Sequence, residues 1–434
     1  MKMNFKQIIL VSFTLFSLFF GAGNLIFPPF LGQNAGFNTP LAFLGFLITA
    51  VALPILGVLV VAKFDGLNNL GNKVNVTFAS VFAILIYLSI GPGLGIPRAA
   101  SLPFEMAVAP YLPVDAPVRL YLLLFSFVFF AVATWLALSP GKLVSRIGKF
   151  LTPSLLILIV FLFVSFVFRG NKMIVEPTAA YATNPFVKGF LEGYMTMDTI
   201  AALNFGLVIS LTLQSFKISE KKDIMKYTLL NGLIAGAILT FVYFMLSYMG
   251  QASSGVFELG ANGSVTLRAI VYELFGDFGA YLLAAIFTLA CLTTCVGLIT
   301  SISQYFSSLT SKISYYAWVI IISLFSLIVC NQGLNRLLSF SVPLLDAIYP
   351  ISIVLIILGL TDRFFKDNRY IYPWTITVVG IISIFYALRG AHLPIPFIDD
   401  FFATCLPFYT LGLGWFIPSL VTIGCSMVYA HFKK

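Results

Sequence analysis

Apolar runs of roughly 18 to 25 residues recur along this chain from one end to the other, and each is long enough to cross a hydrocarbon core about 30 Å thick. Inside such a core every backbone polar group must be paired within the protein, and runs of this length do so as helices. Twelve spans are expected, at 8–31, 41–62, 76–109, 118–139, 150–168, 190–215, 228–249, 279–306, 315–330, 337–360, 371–388 and 403–430. With 60% hydrophobic and 9% charged residues, against about a quarter charged in average globular chains, the chain is not that of a soluble domain. The expectation is an all-α polytopic membrane protein, a single integral membrane domain covering 1–434.

An even number of spans puts both termini on one side. Most of the 25 lysines and arginines, among them Lys2, Lys63, Lys73, Lys142, Arg146, Lys221, Lys366 and Lys434, then fall in loops on that side, the pattern of cytoplasmic loops. The same bias accounts for the net charge of +9 without any nucleic-acid partner. Five cysteines all fall in apolar spans, which argues against disulfides. Cys291 and Cys295 share a helix face, but buried thiols in that pattern read as small core residues before metal ligands. The stretch 250–278 is the longest hydrophilic one and contains a short amphipathic helix at 264–276.

The first span is built to break. Its segment FFGAGNLIFPPF, residues 19–30, places Gly21, Gly23, Asn24, Pro28 and Pro29 close together, with Ala22 about 21 Å along the span. Non-helical backbone at that depth is tolerated where it lines a cavity. The inner half-helix would present carbonyls around Ser17 to Phe20, suited to a cation. The outer half would present N–H groups around Gly21 to Asn24, suited to a carboxylate. Discontinuous helices of this kind mark secondary transporters. An inverted repeat would put a second break five spans later, and the sixth span, FLEGYMTMDTIAALNFGLVIS, carries Asp198 between Thr196 and Thr199. An intramembrane carboxylate is costly and points to function: it holds a ligand ammonium, serves cation coupling, or caps the inner half-helix. In the eighth span, AAIFTLACLTTCVGLITS, Thr293 and Thr294 lie at similar depth. Their hydroxyls either join freed carbonyls in a neutral oxygen cage for sodium or bond back to their own helix.

FGAGNLIFPPFLG in the first span, YLSIGPGLGIPRAASLPFE at 87–105, GYMTMD at 193–198 and ACLTTCVGL at 290–298 together resemble the bacterial branched-chain amino acid:cation symporter family, the system II carriers. The similarity runs over essentially the whole chain. It implies a LeuT-like fold: twelve transmembrane helices, a 5+5 inverted repeat (about 5–170 and 186–362) with discontinuous helices 1 and 6, and two extra helices at about 370–434. It also implies that Gly21, Ala22, Gly23 and Asn24 bind a substrate carboxylate. The carbonyls of Ser17, Phe20 and Ala290 and the hydroxyls of Thr293 and Thr294 would hold Na+, so two routes reach the same threonines. Thr196, Met197, Asp198 and Thr199 carry over only as a region.

A zwitterion with an aliphatic side chain suits such a site, with Tyr87 of the third span and Met195 or Met197 as walls. For the gates, Arg98, placed towards the outer end of the third span, and Asp346, between Pro343 and Pro350, are candidates. Lipid-headgroup contact for Arg98 and a structural hydrogen bond for Asp346 are the alternatives. The expected activity is import of leucine, isoleucine or valine with Na+ across a bacterial cytoplasmic membrane, both termini cytoplasmic, with no cofactor and no obligate protein partner. A proton-coupled carrier of the same fold, or one carrying another small neutral solute, is the rival reading. The only histidines, His392 and His431, lie at or outside span ends and no hydrolase motif is present, which disfavours an enzyme. The rings of polar residues that line a channel are also missing.

Overall fold

The computed structural model describes residues 3–139, 147–260, 262–365, 368–393 and 395–433, and every element within them is helical. Lys2, Lys142, Arg146, Lys366 and Lys434 of the expected inner-loop set lie outside those residues. By length and composition, eight of the described helices can cross a membrane, nine when Pro185–Thr196 and Asp198–Ser215 are taken as one bent span; Phe5–Phe19, Tyr315–Cys330 and Phe416–Phe432 are shorter apolar helices.

One of the eight, Ala22–Lys63, holds 42 residues. Straight, it would reach about 63 Å, roughly twice the hydrocarbon core. It doubles back instead. Gly36 at φ 47 ends the helix Ala22–Ala35, and the next helix, Thr39–Leu47, packs back against it. A left-handed backbone is cheapest for glycine, and a Cβ on Gly36 would meet the Val175 carbonyl oxygen at 2.1 Å. The outer half of the first span is also drawn tightly onto the seventh, Lys221–Ala252: a Cβ on Gly32 would lie 2.0 Å from the Ser247 carbonyl oxygen, and one on Gly250 would lie 2.0 Å from that of Pro29. Small residues that let helix backbones approach are how helices associate where apolar contact alone gives little drive.

Two expected boundaries need comment. The amphipathic segment forms a helix, Gly263–Phe275, whose first turn is capped by the Asn262 side chain accepting from the Ser264 N–H at 3.0 Å. The last expected span, 403–430, is wrong at its start. Pro396–Cys405 is a separate helix, and the chain turns extended at Leu406 (φ −102, ψ 116) because Pro407 excludes the helical conformation from the residue before it. The apolar helix begins only at Phe416 and runs to Phe432.

Both ends of the described chain meet on one face. The Met3 N–H donates to the Tyr227 hydroxyl at 3.1 Å, Lys221 pairs with Asp65 at 2.7 Å, Lys73 pairs with Asp362 at 3.1 Å, and Lys433 donates to the Tyr370 hydroxyl at 2.9 Å. Asn72, Lys73, Asp362, Tyr370 and Lys433 line one cavity on this face, tying the last helix to the same cluster.

Candidate functional site: a buried junction of two broken helices

The first span breaks where its sequence allows. Phe5–Phe19 and Ala22–Ala35 are separated by Phe20 (φ −73, ψ 91) and Gly21 (φ −125, ψ −152), two residues in extended conformation. Asn24 closes the gap: its Oδ1 accepts from the Gly21 N–H at 3.0 Å, capping one of the N–H groups freed at the start of the outer half. Its amide nitrogen donates to Asp198 Oδ2 at 2.6 Å and to the Tyr243 hydroxyl. That hydroxyl in turn donates to Asp198 Oδ2 at 2.9 Å. Asn24, Asp198 and Tyr243 are all buried, so three spans are tied by one polar network in the interior.

The sixth span breaks at Met197. Helix Pro185–Glu192 runs into a tight turn, Gly193–Thr196, and Met197 at φ 66, ψ 9 turns the chain by 45° into Asp198–Ser215. A left-handed non-glycine residue costs on the order of 1–3 kcal/mol and persists only where its surroundings hold it. Thr196 helps: its hydroxyl donates to the Gly193 carbonyl at 2.8 Å and its Oγ1 lies 3.4 Å from the Asp198 N–H. Thr199 faces away from this junction and donates to the Thr49 carbonyl at 2.7 Å.

On the eighth span, Phe278–Leu309, Thr294 donates to the Ser17 carbonyl at 3.0 Å, and Thr293 donates to the Ala290 carbonyl at 2.9 Å. The Ser17 hydroxyl lies 2.7 Å from that of Thr152. A Cβ on Gly21 would sit 2.9 Å from Thr294 Oγ1, so the break in the first span is pressed against this threonine. Thr294 therefore joins the break in the first span, whereas Thr293 bonds back to its own helix at Ala290. Phe20 supplies the residue between, its N–H donating to Phe16 at 2.8 Å.

Arg98 is not at an outer end. It is 2% exposed, beside the broken turn: its Nη1 donates to the Met195 carbonyl at 3.0 Å, and a Cβ on Gly23 would lie 2.8 Å from its Nη2. Burial also removes the lipid-headgroup contact as an account of this residue. Tyr87 is displaced in the opposite sense. It stacks on Tyr305 with ring centroids 3.8 Å apart, and Tyr305 donates to Asn68 at 3.2 Å towards the terminus-bearing face. Between Tyr87 and Arg98 the helix Val76–Leu88 passes through a wide turn, Ser89–Gly93, before resuming at Gly95–Ala107. That turn rotates everything after it relative to a regular helix.

Gly21, Ala22, Gly23, Asn24, Ile90, Arg98, Thr196, Met197, Asp198 and Thr294 line a common cavity of about 20 Å³. That holds about one water molecule. Tyr87, Met195 and Thr199 are not among its walls; Ile90 is. A much larger cavity, about 600 Å³, opens on the opposite face from the termini, where Met195, Tyr194, Glu192, Asp346 and Arg389 are among its walls. Between the two stand the Arg98–Met195 hydrogen bond and the stacked rings of Tyr194 and Tyr349, 4.2 Å apart. Asp346 is half-buried in that outer cavity, with no cation within 4.0 Å among the described residues. Tyr243 was not distinguishable in sequence, being one aromatic among many in an apolar span.

The chain is similar to known proteins in sequence and in fold. Residues 4–433 match the family described as branched-chain amino acid transport protein. The branched-chain amino acid permease BraB of Bacillus subtilis is 41% identical over 96% of this chain and 94% of its own length. The chain belongs to the branched-chain amino acid transport protein family. Within that family, the branched-chain amino acid transport system 2 carrier protein of Pseudomonas aeruginosa is 40% identical over 97% of this chain and 95% of its own. These are transport proteins and not enzymes. Among solved structures, the nucleobase-cation-symport-1 family transporter Mhp1 superposes with a TM-score of 0.57, at 12% identity over 97% of this chain and 93% of that one. The manganese transporter of Eremococcus coleocola gives 0.52 at 15% identity, over 98% and 96%. At these identities the likeness is one of fold. Among the described residues no three His, Cys, Asp or Glu side chains gather to hold a metal ion; Cys291 and Cys295 are buried and belong to no such group.

Proposed function

We propose that the chain is a secondary active symporter that imports leucine, isoleucine or valine across a bacterial cytoplasmic membrane, coupled to Na+ by alternating access. The observation that carries the coupling is the bond from Thr294 of the eighth span to the Ser17 carbonyl at the end of the broken first helix, with Thr293 and Ala290 one turn away. The hydroxyls of Thr293 and Thr294, the carbonyls of Ser17 and Phe20 at the end of the broken helix, and that of Ala290 within the eighth span are neutral oxygen ligands, the kind a partly dehydrated sodium ion takes. Cation binding would pull Thr294 and Ser17 onto the ion and order the turn at Gly21. The relatives' names support branched-chain amino acids as cargo, and Ile90, Ala201 and Leu298 supply an apolar wall for an aliphatic side chain.

A cavity of about 20 Å³ cannot hold such a substrate, so the transport cycle must enlarge it. Two stacked tyrosine pairs bracket the site, Tyr194 with Tyr349 towards the outer cavity and Tyr87 with Tyr305 towards the terminus-bearing face. Opening one while the other stays closed gives alternating access. We take the helices as twelve crossings, with Ala22–Lys63 counted as two, in a 5+5 inverted repeat whose first and sixth spans are the broken ones, and both termini cytoplasmic. The membrane potential drives a cation inward with about 2.3 kcal/mol per 100 mV, which favours import.

Asp198 supports a second reading, in which a proton replaces sodium, since it is a buried carboxylate in the same cavity. Uptake of labelled leucine into proteoliposomes, under a sodium gradient or under potassium with a pH gradient, separates the two. Sodium-dependent uptake abolished in Thr294→Ala supports the oxygen cage. Uptake that ignores sodium and is lost only in Asp198→Asn moves coupling to the sixth span, and no leucine uptake under either gradient removes the cargo.

A further inference from the structure

A guanidinium taken out of water is expensive unless an anion or several hydrogen bonds compensate it. Arg98 is 2% exposed, yet among the described residues no carboxylate lies within 4.0 Å of it. Its hydrogen bond is the one from Nη1 to the Met195 carbonyl, its Nε is buried without a partner, and its plane lies over the Phe27 ring at 5.7 Å. Its remaining donors border the central cavity at Gly23, where a Cβ would come within 2.8 Å of Nη2. The absence of a side chain at 23 leaves the start of the helix Ala22–Ala35 bare beside this cation. Two independent features thus converge on one spot: N–H groups at a helix start, and a buried arginine with donors to spare.

We propose that Arg98 is the receptor for the substrate carboxylate, which lies between its guanidinium and the Gly21–Asn24 turn. This rests on the amino acid transport reading above and adds to it a charged partner that neither the glycine-rich turn nor the family description supplies. Arginine suits the task because its planar fork presents two parallel donors to a carboxylate. Asp198 shares the cavity and offers acceptor oxygens to the substrate ammonium, so the two ends of a zwitterion find different partners. The bond to Met195 couples this receptor to the outer segment of the sixth span, so a carboxylate that draws the guanidinium inward pulls on the element closing the site from outside.

The test compares two ligands that differ only at the carboxylate. Leucine and leucinamide are measured by equilibrium binding to the purified full-length protein in detergent micelles, in wild type, Arg98→Gln and Arg98→Lys. Wild type should prefer leucine strongly. Arg98→Gln should weaken leucine by roughly 10- to 150-fold, the worth of a charge-assisted hydrogen bond, while leucinamide changes less than about threefold, so the preference collapses. Arg98→Lys keeps the charge without the fork and should fall between. Should Arg98→Gln not give a monodisperse protein, the lysine variant decides: leucine weakened with leucinamide unchanged supports the receptor. Equal losses for both ligands, or none for leucine, overturn it and leave Arg98 a structural or gating residue. Wild-type protein that binds no leucine overturns the transport reading itself, a result visible before any variant is made.

Discussion

Gly21→Ala is the substitution whose consequence is most directly set by geometry. Gly21 has φ −125, a conformation open to any residue, so its backbone is not the obstacle. The obstacle is Thr294: an added Cβ would meet its Oγ1 at 2.9 Å, its Cγ2 at 3.1 Å and its Cβ at 3.2 Å, all three closer than ordinary contact. Either the turn moves away from the eighth span or Thr294 leaves the Ser17 carbonyl. Overpacking of this kind costs about 1–3 kcal/mol, and the lost hydrogen bond about 0.5–1.5 kcal/mol. Together they come to about 1.5–4.5 kcal/mol, which corresponds to a rise in sodium half-saturation of at least roughly tenfold if it falls on the cation-bound state. The assay is leucine uptake in proteoliposomes as a function of sodium, at fixed potential. The decisive control is the same substitution in a Thr294→Ala background, read in both backgrounds as thermal unfolding in detergent because sodium-dependent uptake is expected to be lost with Thr294→Ala; with the two shortest contacts gone, the added cost should fall to about 1 kcal/mol or less. Equal cost in both backgrounds would show that Gly21 acts through something other than its contact with Thr294, and the reasoning would fail.

Other outcomes follow from the same geometry. Tyr243→Phe removes a donor to Asp198 and to the network around Asn24 while keeping the ring; it should destabilise the protein by about 1–3 kcal/mol, less than Asp198→Ala, read as thermal unfolding in detergent. Ile90→Ala should enlarge the central cavity and weaken leucine binding while admitting bulkier aliphatic or aromatic side chains, whereas Tyr87→Ala, outside the cavity, should leave equilibrium affinity within about threefold and change access from the terminus-bearing face; competition assays and cysteine accessibility measure the two. Asp362→Asn removes the pair with Lys73, whose side chains are 43% and 18% exposed. Being partly solvated, it should cost no more than about 1 kcal/mol, and a larger loss in thermal unfolding would mean that this cluster does more than hold the face together.

The break in the first span was legible because hydrocarbon punishes unpaired backbone wherever it occurs: Gly21, Gly23 and Asn24 within four residues leave few other structures, while Pro28 and Pro29 sit inside the outer helix. A hydroxyl at that depth needs a partner, and of the two threonines at that depth Thr294 finds the Ser17 carbonyl while Thr293 bonds back to Ala290 of its own helix, a division the sequence left open. Depth and direction were not legible on the third span. Val76–Tyr111 holds 36 residues, more than a straight crossing needs, so counting from its first residue put Arg98 too far out. The wide turn at Ser89–Gly93 then rotates the helix, and Gly91 leaves helical geometry altogether (φ −86, ψ −120), so Arg98 borders the central cavity while Tyr87 packs against Tyr305 outside it.

Hydropathy and run length determine, without help from any fold, that this chain spans a membrane as helices, and Gly21, Gly23 and Asn24 that its first span opens in the middle. These are costs paid residue by residue against lipid, and a linear sequence records them. Which side chains meet inside is another kind of quantity. Asn24, Asp198 and Tyr243 are 174 and 45 residues apart along the chain, and Arg98 reaches Met195 across 97. Their meeting depends on how each helix is rotated and how closely its neighbours pack, which only the tertiary structure decides.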